Sequence, residues 1–265
     1  VKAYCLQEVG EETRPVIESL KEQGFKIVHY EGQEYFDAAI ALDENRFQEI
    51  VNHSMNVDIN GMYKKDVAIA TAIDTLSGQR VTFVSAHVPG FNFANMNPEE
   101  IADGDLYCQA IAKKLSEIAQ GTIQVIGADM NANPEKLKQR FEIFSNKGFQ
   151  LHRTNACTNV NPNEPEYQER ELDFVFTKMP KSSFWQKIKS IFRSTIRFEA
   201  SLGKVNPIDF DETKNCSDHL PVFVETTSRI KMSKVRQFWN ITGRLLALCC
   251  TCTKAKSTGA VPKFS

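Results

Sequence analysis

The chain is poor in several things, and each shortage narrows the field. Net charge is almost nil: 32 basic and 33 acidic residues leave −1 at pH 7. Such a protein has no global field to gather nucleic acid, which argues against a non-specific polyanion binder but not against a nuclease with a local basic groove. No apolar run is long enough for a transmembrane helix. Internal repeats are absent. The seven cysteines are an odd number, and Cys5, Cys108, Cys157 and Cys216 are widely scattered. A disulfide framework is therefore not expected, and a reducing, cytoplasmic compartment is. The chain begins at Val1, inside an apparent strand; it reads as truncated or processed, with a signal peptide or a first strand missing.

What is present describes a soluble globular protein. Of 265 residues, 42% are hydrophobic and 25% charged, enough for one large domain or two small ones. "AYCLQEV" reads as a strand, and "EETRPVIESLKEQG" as a helix with acids in its first turn and Gly24 beyond its end. "FKIVHY", "EYFDAAIAL" and "RFQEIVNHS" follow as strands. "DVAIATAID" and "RVTFVSAHV" form a hairpin. Residues 98–120 predict a helix, delayed in its start by Gly104, then "TIQVIGAD" a buried strand. "NPEKLKQRFEIFSNKG" predicts a helix opening at Pro134 and closing at Gly148. "ELDFVFTK" and "HLPVFVET" are the last clear strands. Irregular alternation with many hairpins predicts an α/β or α+β sandwich, not a doubly wound parallel sheet. The body is expected to end near Thr227, followed by a basic tail over 228–265.

Charged and imidazole side chains recur where strands start or stop. Glu8 closes "YCLQEV", His87 closes "TFVSAHV", and Asp129 and Asn131 follow "QVIG". Asp173 opens "LDFVF", and Asp218 and His219 precede "LPVFV". Ionisable groups avoid the edge of a core unless they are paired, hydrogen-bonded or metal-bound. Each has a plainer reading when taken alone. Glu8 reads as a solvated strand residue and His87 as a turn residue before Pro89-Gly90. Asp129 and Asn131 fit an Asx turn before the next helix.

Taken in order, "LQEV", "SAHVPG", "GADMNANP", "LDFVF" and "SDHLPV" resemble the endonuclease/exonuclease/phosphatase superfamily over about residues 3–227. The resemblance implies a four-layer α/β (α+β) sandwich, with two packed mixed or antiparallel sheets flanked by helices. It departs at "GADMN", where the family usually has "GDFN". The family's tyrosine or acidic partner between the first two motifs has only Tyr63 and Asp66 as candidates.

The resemblance implies a Mg²⁺-dependent phosphoester hydrolase, with Mn²⁺ as substitute. Such a reaction must neutralise phosphate charge and aim a water in line, and Mg²⁺ prefers oxygen ligands. Glu8 is implied as the main metal ligand, with Asp218 as a second or water-mediated one. Asp129 orients or deprotonates the water, and the Asn131 amide donates to phosphate. In an extended chain these two would share a face. His219 is implied to pair with Asp173, as base or as electrostatic stabiliser, and His87 to donate to phosphate or to the leaving oxygen. A monomer is expected. The rival of another class is an inactive phosphate-binding module, whose motif residues would lie too far apart to share a metal.

Two segments bear on the substrate, a membrane phospholipid or phosphoinositide or, alternatively, DNA or RNA. The insertion near 178–198 carries Phe184, Trp185, Ile188, Ile191, Phe192 and Ile196 at helical spacing, with Lys187, Lys189 and Arg193 between them. It reads either as a surface helix packed on the sheet or as a basic, aromatic membrane or substrate surface. In the tail, Cys249, Cys250 and Cys252 beside basic and apolar residues fit S-acylation sites. Together these segments lead to an expectation of peripheral membrane contact.

Overall fold

The computed structural model describes residues 2–32 (Glu12 by its backbone alone), 36–90, 96–154 and 171–180. Beyond these it describes the backbone of three strands, Thr195–Leu202, Val222–Arg229 and Asn240–Gly243.

A small antiparallel sheet holds β1 (Ala3–Gln7), β2 (Phe25–His29) and β3 (Ala38–Asp43), in the order β1-β3-β2. Between β1 and β2 runs α1 (Arg14–Glu22), entered through one 3-10 turn at Glu11–Thr13. A seven-stranded sheet follows. Its strands are β4 (Phe47–Asn52), β5 (Met55–Ile59), β6 (Tyr63–Asp74), β7 (Gln79–His87), β8 (Ile123–Asp129), β9 (Gln150–His152) and β10 (Asp173–Lys178). Their order is β4-β6-β7-β8-β10-β9, with β5 also paired to β6. The β7–β8 pair is parallel, which needs a crossover, and α2 (Pro98–Ile118) supplies it. The remaining helix, α3 (Lys138–Ser145), follows β8. The last three strands, β11 (Thr195–Leu202), β12 (Val222–Arg229) and β13 (Asn240–Gly243), pair antiparallel among themselves.

Period-two alternation sorts the side chains into layers. On β6, Ala68, Ala70 and Ala72 face the small sheet, while Val67 and Ile69 face the helices. The inter-sheet core joins Ala3, Cys5, Ile40 and Leu42 to Phe83, Val125 and Val175. Behind the large sheet, Tyr107, Ile111 and Leu115 of α2 and Phe141 and Phe144 of α3 pack on Val84, Ile126, Phe174 and Phe176. Behind the small sheet, Ile17 and Leu20 of α1 cover Tyr4, Leu6, Ala39 and Ala41. The result is helix, sheet, sheet, helix: the four-layer α/β sandwich expected from the sequence.

Some elements differ from expectation. Gly104 does not delay α2, because a capping box starts the helix at Pro98. The Asn97 side chain accepts from the Glu99 and Glu100 amides, and the Glu100 carboxylate accepts the Asn97 amide. The helix expected from Pro134 begins at Lys138 instead. Residues 133–137 close a separate turn, with Asn133 accepting from Glu135 and Leu137, and Leu137 has non-helical angles. The helical spacing read across 178–198 ends in β11, where Thr195 to Phe198 pair with β12. In β12, Thr226 to Arg229 pair with Asn240–Gly243 of β13.

Candidate active site

Strand direction and side-chain parity assemble the site. His87 ends β7 directly beside Asp129 at the end of parallel β8. Asp129 is in turn opposite Asp173, the first residue of antiparallel β10. All three fall on the alternation that faces the small sheet, as Phe83, Val125 and Val175 do. From that sheet, β1 runs to the same rim and delivers Gln7 and Glu8. Polar bonds between the sheets hold it there. The Gln7 amide, fully buried, donates to Ser85 Oγ at 2.7 Å and to the Gly127 carbonyl at 3.2 Å. Ser85 donates to the Leu6 carbonyl at 2.7 Å. Glu8 then turns sharply, with φ at +52°, a left-handed conformation uncommon outside glycine and often found at functional positions.

One potential ligand atom from each of Glu8, His87 and Asp129 lies within 4.8 Å of the others. His87 Nε2 is 3.5 Å from Glu8 Oε1 and 3.8 Å from Asp129 Oδ2. Asp129 Oδ1 accepts the Asn131 backbone amide at 2.8 Å, which fixes the carboxylate. The donor set suits a hard divalent cation: two carboxylates converge on one point, Asp129 buried and Glu8 partly open to solvent.

The opposite edge of His87 is occupied by Asp37, which the sequence reading did not single out. His87 Nδ1 donates to Asp37 Oδ1 at 2.9 Å, and Lys65 reaches Asp37 Oδ2 at 2.8 Å. Burial alone would push the Asp37 carboxyl up, but the His87 bond and charge, with Lys65, hold it down at about 2. Burial likewise works against a charged His87. The Asp37 bond and charge, aided by Asp129, outweigh both burial and the opposing Lys65, and the imidazole is raised above its ordinary value. Nδ1 is thus held by Asp37, and Nε2 points to the carboxylates. The signal for Asp37 was legible in "FDAAIAL": an acid directly before an apolar strand, the feature that drew attention to Asp173.

Tyr63 and Asp66 do not take this position. The Tyr63 hydroxyl donates to Asp103 at 3.4 Å, and Asp66 accepts from Asn56 at 2.7 Å. Lys65, between them on β6, is the residue that reaches His87, at 3.2 Å from Nδ1. The expectation that Asp129 and Asn131 share one extended face is also corrected. Asn131 is left-handed, φ +44°, and the pair forms an Asx turn. Its side-chain amide donates to the Val88 carbonyl at 2.8 Å. Through "GADMN", β8 pairs in unbroken register with both neighbours as far as Asp129, and Ala128 points into the helix-side core.

Arg140 supports this turn from behind. It is fully buried, and its guanidinium donates to the carbonyl of Met130, between Asp129 and Asn131, at 3.2 Å. It also bonds Ile101 O and Asp105 Oδ1, each at 3.2 Å. Gly104 makes room for it: a Cβ there would meet Nη1 at 2.9 Å, and Nη2 and Cζ closer still. Asp218, His219, Trp185, Lys187, Lys189, Arg193, Cys249, Cys250 and Cys252 lie outside the described residues.

No family model and no curated protein matches the chain by sequence. Solved structures do match by fold. The chain is similar to TDP2 of D. rerio complexed with single strand DNA product, at TM-score 0.59 and 13% identity over 83% of this chain and 84% of that one. It is similar to an endonuclease/exonuclease/phosphatase from Bacteroides vulgatus, at TM-score 0.60 and 15% identity over 85% and 84%. The human Nocturnin catalytic domain with bound sulfate is similar at TM-score 0.54 and 15% identity over 86% and 81%. These likenesses show the fold of the endonuclease/exonuclease/phosphatase superfamily.

Proposed function

We propose that this chain, which has the endonuclease/exonuclease/phosphatase fold, is a divalent-metal-dependent phosphoester hydrolase. The observation that carries the reading is the convergence of Glu8, His87 and Asp129 within 4.8 Å. An inactive binding module would have no need to keep two carboxylates and an imidazole at one buried rim, since such groups are costly to desolvate. The Mg²⁺ expected from the sequence would be held by Glu8, with Asp218 as a further ligand. When bound, the cation neutralises phosphate charge and lowers the pKa of a coordinated water.

The protein's own groups divide the remaining work. Asp129, held by the Asn131 amide, orients the attacking water and accepts its proton. Asn131 has a second amide hydrogen beyond the one given to Val88, available to a phosphate oxygen. His87, whose protonated form the Asp37 carboxylate favours, donates Nε2–H to a phosphoryl or leaving oxygen. Asp173 and His219 are proposed as the pair that faces the phosphate from β10 and the segment before β12.

The test is product release from DNA, RNA, sphingomyelin and phosphoinositides by the full chain, with and without EDTA, beside Glu8→Gln. Hydrolysis of at least one substrate class is expected, abolished by EDTA and by the substitution. Turnover that survives EDTA, or none on any phosphoester, refutes the reading.

A further inference from the structure

A cavity of about 440 Å³ opens at the same rim, on the other face of the small sheet. It runs along one face of α1, from Arg14 to Lys21. Its floor is Val9, Ile17, Ile27 and Phe36, beside His29. Chain geometry explains why it adjoins the site. Glu8 turns toward the large sheet and Val9, the next residue, toward α1. On β3's approach, Asp37 reaches His87 while Phe36 lines the cavity. The two residue pairs form one wall, joined where the Val9 amide donates to the Asp37 carbonyl at 3.4 Å. The reacting rim and the cavity are two sides of that wall.

The lining selects among ligands. His29 and Phe36 are stacked, ring centroids 3.9 Å apart and planes 12° from parallel, and both are only half-buried. Such a stack offers a flat face to a further planar ring. The mouth carries Glu11, Arg14, Glu18 and Lys21, two charges of each sign, with Glu18 and Lys21 paired at 2.7 Å. The balance gives no attraction for a second phosphate, as an inositol polyphosphate would need. Four charged side chains at the entrance also make poor company for an alkyl chain. A heteroaromatic base suits both features. Its faces stack, and its edge has donors for Glu11 and acceptors for Arg14, neither of which is in an ion pair among the described residues. The volume falls in the range of small-ligand pockets.

We infer that this cavity is a nucleobase subsite, and that the substrate is a nucleotide ester whose phosphate occupies the rim while its base reaches over the Glu8–Val9 and Phe36–Asp37 wall. The inference rests on the phosphoesterase reading for the phosphate but not for the base. The experiment therefore separates them. Calorimetric binding of adenosine 5′-monophosphate, ribose 5-phosphate and octyl phosphate is measured on the full chain, on Phe36→Ala and on Arg14→Ala. Turnover of a base-free sugar phosphodiester is followed in parallel. The base is expected to improve affinity about tenfold, as stacking on one aromatic does. That advantage should vanish in Phe36→Ala and fall in Arg14→Ala, while base-free turnover by Arg14→Ala stays unchanged. Equal binding of the nucleotide and ribose 5-phosphate overturns the subsite, as does tighter binding of octyl phosphate. So does a base advantage that survives both substitutions. If base-dependent binding appears but EDTA-sensitive turnover does not, the subsite stands and the hydrolase reading fails.

Discussion

Gly104→Ala should destabilise this protein, although helix propensity says the opposite. A glycine inside a helix costs about 1 kcal/mol relative to alanine, so the exchange ordinarily helps. Here the new methyl would collide with a guanidinium that is 0% exposed and has nowhere to withdraw. Moving it forfeits the bond from Arg140 Nη2 to Ile101 O and strains those to Met130 O and Asp105, each 3.2 Å long. A hydrogen bond made by a charged group contributes about 1.5–3 kcal/mol, and overpacking costs about 1–3 kcal/mol more. Losing one such bond with modest overpacking, less the gain in propensity, leaves a net loss of about 2–4 kcal/mol. Urea unfolding is the assay. With a slope of about 1–3 kcal/mol per molar, the midpoint should drop by about 1 M or more. Because Arg140 bonds the carbonyl between Asp129 and Asn131, activity should also fall at temperatures where the variant is folded. Pairing the change with Arg140→Lys, which empties part of the space, should cost less than the sum of the two single changes. A midpoint unchanged or raised in Gly104→Ala would refute the argument.

Other expectations follow from the same geometry. Asp37→Asn removes the charge that favours protonated His87, so the alkaline limb of the pH–rate profile should move to lower pH; an unmoved limb would exclude His87 as the proton donor. In stability, the raised His87 pKa means its contribution is complete below about pH 6.5 and is lost as pH rises through the folded value; the Asp37 contribution is complete above about pH 3.9 and is lost as pH falls toward 2. His219→Ala should lower turnover by about two to four orders of magnitude while leaving the unfolding midpoint close to the parent; near-normal rates would make the residue structural. Co-sedimentation with anionic vesicles should weaken when Lys187, Lys189 and Arg193 become Glu, each cation near such a surface contributing about 1 kcal/mol; no binding, or binding indifferent to the change, removes the membrane reading.

Much of this protein is legible in the sequence alone, through short apolar runs bounded by turn residues. The short, nearly continuous apolar runs in "DVAIATAID" and "RVTFVSAHV" mark strands by themselves, because only a strand covered on both faces is apolar over so few residues between turn signals. The order of motifs marked Glu8, His87 and Asp129 through the family resemblance it carries, where each residue taken alone had a plainer reading. Tertiary structure decided the partner of His87. Asp37 is 50 residues from His87 and meets it only because β3 and β7 belong to different sheets that share a rim. The cavity behind Glu8 likewise exists because α1 and β2 meet over Val9 and Phe36, a juxtaposition that no local pattern encodes. Local hydrogen bonds made the other decisions: the Asn97 cap overrode Gly104, and the Asx turn rotated Asn131 out of the extended face that alternation implied. Sequence pattern reports which side of an element is buried; the contacts across elements, and the turns that aim a single side chain, are settled only when the layers close on one another.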